Sequence, residues 1–114
     1  MAPKPPTPQA ISALLRKAGY DRSEVISRAT MNHRYTTGFY VRSGRVAGKT
    51  EIYVNWRLKK PAPAIAAEPA ERERNQARAL ELAGEYAEVI KAAGWPAEVI
   101  HLAGPLVRVT AKES

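Results

Sequence analysis

The chain has 114 residues, 45% apolar and 25% charged, no cysteine, and a formal net charge of +7. That length and composition suit one globular domain, and the lack of cysteine excludes disulfides, thiol nucleophiles and cysteine-based zinc sites. No apolar run approaches the roughly 20 residues that span a bilayer, and the opening Met1-Ala2-Pro3-Lys4-Pro5-Pro6 lacks the apolar stretch of a secretion signal, so a cytoplasmic protein with no membrane partner is expected.

Residues 1–7 are expected to form a disordered proline-rich tail, because proline neither continues a helix nor donates to a sheet ladder. A single α+β domain is expected over residues 8–112. It opens on Thr7-Pro8, a good helix start: the hydroxyl caps, and the proline sits where its missing N–H costs nothing. Ile11, Leu14, Leu15 and Ala18 follow at helical spacing, and Gly19 supplies the stop.

The period then changes to two. Residues 24–30 can form a first strand of ambiguous facing, and residues 37–42 and 50–59 read as a clearer pair joined by the loop 43–49, whose two glycines suit a hairpin. Ile52, Val54, Trp56 and Leu58 share one face of the long strand, leaving Tyr53, Asn55, Arg57 and Lys59 on the other. Its neighbour splits likewise, Phe39 and Val41 against Tyr40 and Arg42. One face is therefore core, and the other is solvated, basic and aromatic.

A proline- and alanine-rich linker over residues 60–69 leads to a long helix from Pro69. Ala79, Leu82, Ala83, Tyr86, Val89, Ile90 and Ala93 form its stripe, Gly94 ends it, and its first turns look solvated. Gly84 inside it suggests close packing of a neighbouring element. Residues 98–102 and 106–111 alternate as a terminal hairpin around Ala103-Gly104-Pro105. The expected layout is an antiparallel sheet with both helices on one face, in the order helix, two or three strands, helix, two strands.

A short internal similarity supports the joints. Leu14-Leu15-Arg16-Lys17-Ala18-Gly19-Tyr20 matches Val89-Ile90-Lys91-Ala92-Ala93-Gly94-Trp95 as a helix end, a glycine cap and an aromatic residue before a strand. Chance similarity in an alanine-rich chain is the other reading.

Charge is the best clue to a partner. Residues 1–60 hold twelve Lys and Arg against Asp21, Glu24 and Glu51, a net +9, whereas residues 61–114 hold six against eight, a net −2. A one-sided basic surface attracts polyanions. The candidate nucleic-acid contacts are Tyr40, Arg42, Tyr53, Asn55, Arg57 and Lys59 on the hairpin face, Arg45 and Lys49 at its loop, and Arg28 and Arg34 alongside. Guanidinium and ammonium groups neutralise phosphates, and tyrosine rings stack on exposed bases. The other reading of this face is a plain solvated sheet surface.

Catalysis has little support. His33 and His101 lie far apart without a carboxylate at ligand spacing, Asp21 is the only Asp, and Gly44 and Gly48 lack the context of a phosphate loop. A non-catalytic protein with no cofactor or metal is expected.

The order of the first five elements resembles that of double-stranded-RNA-binding domains, although the Lys-rich start of that family's second helix is replaced here by Glu71-Arg72-Glu73-Arg74. Ala18-Gly19-Tyr20, Thr37-Gly38-Phe39-Tyr40-Val41, the run from Tyr86 to Trp95 and Leu106-Val107-Arg108-Val109 resemble segments of short proteins from actinobacterial phages and plasmids. That resemblance implies a mobile-element origin and assigns no residue a role. It leaves an alternative function, a small adaptor or inhibitor that binds a host protein, and an exposed edge strand can also pair two copies into a homodimer.

Overall fold

The computed structural model describes residues 6–27, 34–58, 69–102 and 104–111. Helix α1 (Pro8–Lys17) starts as the sequence predicts, with Thr7 Oγ1 accepting the Ala10 N–H at 3.2 Å and proline in the first turn. Its stripe buries Ile11 and Leu15 completely, while Leu14 is half-buried against the same core. The second long helix, α2 (Pro69–Ala92), buries Leu82, Ala83, Tyr86, Ala87 and Ile90.

Both helices end in the same way. Gly19 donates to the Arg16 carbonyl and Tyr20 to that of Leu15 (3.0 and 3.1 Å); Gly94 donates to Lys91 and Trp95 to Ile90 (2.8 and 3.2 Å). Each glycine sits at a positive φ, +98° and +93°, which completes the capping pattern in which the residue after glycine reaches back five positions. The internal similarity therefore marks two copies of one joint, each turning a helix into extended chain.

Two short strands, β1 (Val25–Ser27) and β2 (Arg34–Tyr35), pair as a separate antiparallel ribbon. The main sheet contains β3 (Gly38–Val46), β4 (Lys49–Arg57), β5 (Ala97–His101) and β6 (Pro105–Val109) in the order β3-β4-β6-β5, every neighbour antiparallel. Because β6 lies between them, β4 and β5 run in the same direction, and β4-α2-β5 is a split β-α-β unit. The terminal pair is thus a hairpin whose second strand also completes the sheet.

The core lies between the sheet and the helices, which share one face as expected. Phe39, Ile52, Val54, Val107 and Val109 meet α1 and α2 there, and Tyr86 sets its ring edge-on to both Tyr20 and Phe39 (centroids 5.0 and 6.0 Å apart). Val41, Trp56 and Val89 are only half-buried against this core, and Leu58 is exposed.

Three expectations need correction. The loop 43–49 is instead strand on both sides of a two-residue turn, Ala47-Gly48, whose φ values of +52° and +79° match the mirror-image turn that follows the right-handed twist of a ribbon. Gly44 stays in the strand because its bare backbone makes room for Tyr53: a Cβ there would stand 3.0 Å from Tyr53 Cε2. Among the described residues nothing lies within 4 Å of a Cβ built on Gly84, so no described element packs closely on that glycine. The strand expected over 24–30 begins one residue later, at Val25, and residues 28–30, like most of the linker 60–69, lie outside the described residues.

Candidate nucleic-acid interface

Alternation along β3, β4 and β6 places Tyr40, Arg42, Tyr53, Asn55, Arg57 and Arg108 opposite the core face, each half-buried or exposed. Register brings them together: Tyr40 faces Asn55, Arg42 faces Tyr53, and Tyr53 faces Arg108 on the next strand. The sequence grouping of Tyr40, Arg42, Tyr53, Asn55 and Arg57 is therefore a real cluster. Arg108 joins it only through the β4-β6 pairing, and its alternation with Val107 and Val109 is the signal that could have found it.

Two arginines lie on tyrosine rings. The Arg42 guanidinium is 4.9 Å from the Tyr53 ring centre, and that of Arg57 is 4.6 Å from the Tyr40 ring centre. Such a contact is worth about 0.5–1 kcal/mol at an exposed site, and it restricts the side chain so that less entropy is lost when an anion is gripped. Arg42 Nε also donates to Asn55 Oδ1 at 3.3 Å, and its ion-pairing capacity is unused among the described residues.

Arg57 has a second task. It pairs with Gly38, and across that bare backbone its Nε donates to Ser23 Oγ at 2.6 Å; Ser23, buried, donates in turn to the Thr36 carbonyl at 2.6 Å. Residues 21–23 run alongside β3 through Ser23 N–H to Phe39 O (2.7 Å) and Phe39 N–H to Asp21 O (3.0 Å). Arg57 therefore ties the β1 approach to the sheet as well as charging the outer face.

The face is not uniformly basic. Tyr53 donates its hydroxyl proton to Glu51 at 2.6 Å, and this hydrogen bond, followed by burial, raises the phenol above its ordinary pKa and keeps it a donor. Arg108 pairs with Glu98 of β5, and its Nε is buried without a hydrogen-bond partner among the described residues. The described charges here are Arg42, Arg57, Arg108 and Lys49 against Glu51 and Glu98, a net of +2.

The remaining candidates separate. Arg45 follows the core-side alternation and donates to the Gly48 carbonyl at 3.2 Å, folding onto its own turn and away from Arg42. Lys49 is exposed on the outer-face alternation at the far end of the ribbon. Arg28, Lys59 and the side chain of Arg34 lie outside the described residues.

At the opposite end from the turn, a cleft of about 470 Å³ opens where β4 runs past its last pairing with β6. It is lined by Tyr40, Arg42 and Asn55 from the outer face, by Trp56 and Leu58, by Asn75, Gln76 and Ala79 of α2, by Leu102 and Gly104, and by Pro105 and Leu106 of β6. Among the described residues no group of three or more His, Asp or Glu is placed to hold a metal ion. No described helix is long and apolar enough to cross a membrane. Comparison with models of protein families, with curated proteins and with solved structures finds no match to this chain.

Proposed function

We propose that this chain is a non-catalytic nucleic-acid-binding protein that meets phosphates through the outer face of β3, β4 and β6. The observation that carries this reading is the pair of arginines laid on tyrosines, Arg57 on Tyr40 and Arg42 on Tyr53, side by side on a face opposite the core. Such groups offer restricted cations for the backbone and rings for exposed bases. Arg108 is paired with Glu98 and the described charges of the face sum to only +2, so few phosphates are neutralised and little sequence is read. The binding is phosphate-dominated and weakly selective, and specificity has to come from a second copy or a second protein.

A binding titration of random-sequence DNA across a salt series tests it. With two to three phosphates engaged, log affinity should fall against log salt with a slope of about −2 to −3. Absence of binding at low salt would reject this reading and favour the alternative, an adaptor or inhibitor of mobile-element origin that grips a host protein.

A further inference from the structure

We infer that the cleft between the end of β4, the start of β6 and α2 receives one unstacked base of a single-stranded nucleic acid, whose adjoining phosphate lies on Arg42. This rests on the nucleic-acid reading above and adds a specific site to it.

Tyr40 and Trp56 supply aromatic surface, and Asn55 from β4 with Asn75 and Gln76 from α2 supply three uncharged amides. An amide presents both a donor and an acceptor, which is the mixed pattern of a base edge. A phosphate or carboxylate would want donors alone. An apolar peptide side chain would enter at the cost of desolvating three amides without replacing their hydrogen bonds. Leu58 and Leu102, both exposed, add apolar lining beside Tyr40 and Trp56, so a planar ring finds apolar surface to rest on.

Size and continuity agree. The volume of about 470 Å³ lies within the range of roughly 300–1,000 Å³ usual for pockets that take small ring systems. Tyr40, Arg42 and Asn55 belong both to the cleft and to the basic face, so a strand lying along the face runs into the cleft without leaving its cations. Arg42 Nε fixes Asn55 by donating to its carbonyl oxygen at 3.3 Å, which leaves the amide NH₂ of Asn55 to donate to the incoming base. A duplex cannot use such a site, since its base edges are paired and its faces are stacked.

The test compares two fluorescein-labelled twelve-nucleotide strands on the full chain at low salt: oligothymidine, and a strand with the same phosphates but no bases. The thymidine strand should bind about tenfold tighter, the scale of one stacked base. N75A/Q76A, which removes two amides and no charge, should cut thymidine binding about fivefold, the scale of one or two lost hydrogen bonds, and leave abasic binding unchanged. Thermal melting checks that the variant folds. If it does not, Q76A alone, at an exposed helix position, must still weaken the thymidine strand more than the abasic one. Equal binding of the two strands, or an amide variant that affects neither, overturns the base site while the phosphate reading stands. Failure of both strands to bind overturns both.

Discussion

Replacing Gly38 by Ala should be among the most damaging single-methyl changes in this protein. A Cβ at residue 38 would stand 2.4 Å from the Asp21 carbonyl oxygen, 2.7 Å from Ser23 N and 2.8 Å from the Arg22 carbonyl carbon. All three are backbone atoms, so no rotamer change can make room. The segment 21–23 must separate from β3, and its two hydrogen bonds to Phe39, at 2.7 and 3.0 Å, are lost or stretched. Each is worth about 1 kcal/mol net, and forcing a methyl into a filled space adds about 1–3 kcal/mol, giving a loss of roughly 3–5 kcal/mol. That is a large share of the roughly 5–15 kcal/mol typical of a domain. Gly44→Ala is the internal control, because the Cβ there meets only the Tyr53 ring, which can turn. Urea unfolding should show G38A losing about 2 M in midpoint at an unchanged slope, with G44A losing far less. If the two variants fell by the same amount, backbone contact at Gly38 would not be the cause.

Other outcomes follow from single positions. Gly84→Ala, in open space within α2, should raise stability by about 0.4–1 kcal/mol in the same unfolding assay. Ala47→Asn should gain about 0.5–1 kcal/mol, because Ala47 holds a φ of +52° that asparagine adopts more readily in this type of turn. Burial pushes the Tyr86 phenol up from 10.0 to about 12, with Tyr20 and the acidic Glu85 and Asp21 adding to it and Arg78 opposing. The unfolded chain then releases this proton first, so the Tyr86 contribution is complete below pH 10 and is lost as pH rises through about 12. Unfolding midpoints from pH 9 to 11 should fall less steeply in Tyr86→Phe than in the parent; an equal fall would assign the alkaline loss to other groups.

The elements that local pattern can specify were legible. Period two along Ile52, Tyr53, Val54, Asn55, Trp56 and Arg57 fixed which side meets the helices, because a one-residue slip would turn that side to solvent. The Gly19-Tyr20 and Gly94-Trp95 caps located both helix ends, since a positive φ is a local demand. What escaped depends on residues distant in sequence. Ser43-Gly44-Arg45 has loop composition, yet pairing with 50–52 and the Tyr53 ring over Gly44 hold it in the strand, because strand preference is set by cross-strand neighbours. The insertion of β6 beside β4 is likewise non-local. It brings Arg108, from the net-acidic half, beside Tyr53 and adds a cation to the site. The cleft could not be read at all, because its amides come from β4 and from turns of α2 that show no periodic pattern.

We propose that cations on the outer sheet face, and not those at the start of α2, hold the nucleic acid. It is tested most directly by two variants that remove equal charge. R42A/K49A takes two cations from the outer-face alternation, and R72A/R74A takes two from exposed positions at the start of α2. Anisotropy titrations of a random-sequence strand across a salt series should show R42A/K49A weakening binding and flattening the salt slope by about 1–2, as one or two phosphate contacts disappear. R72A/R74A should leave the slope unchanged. The reverse ranking, with the helix pair essential and the face dispensable, would contradict the account and move the contact to α2.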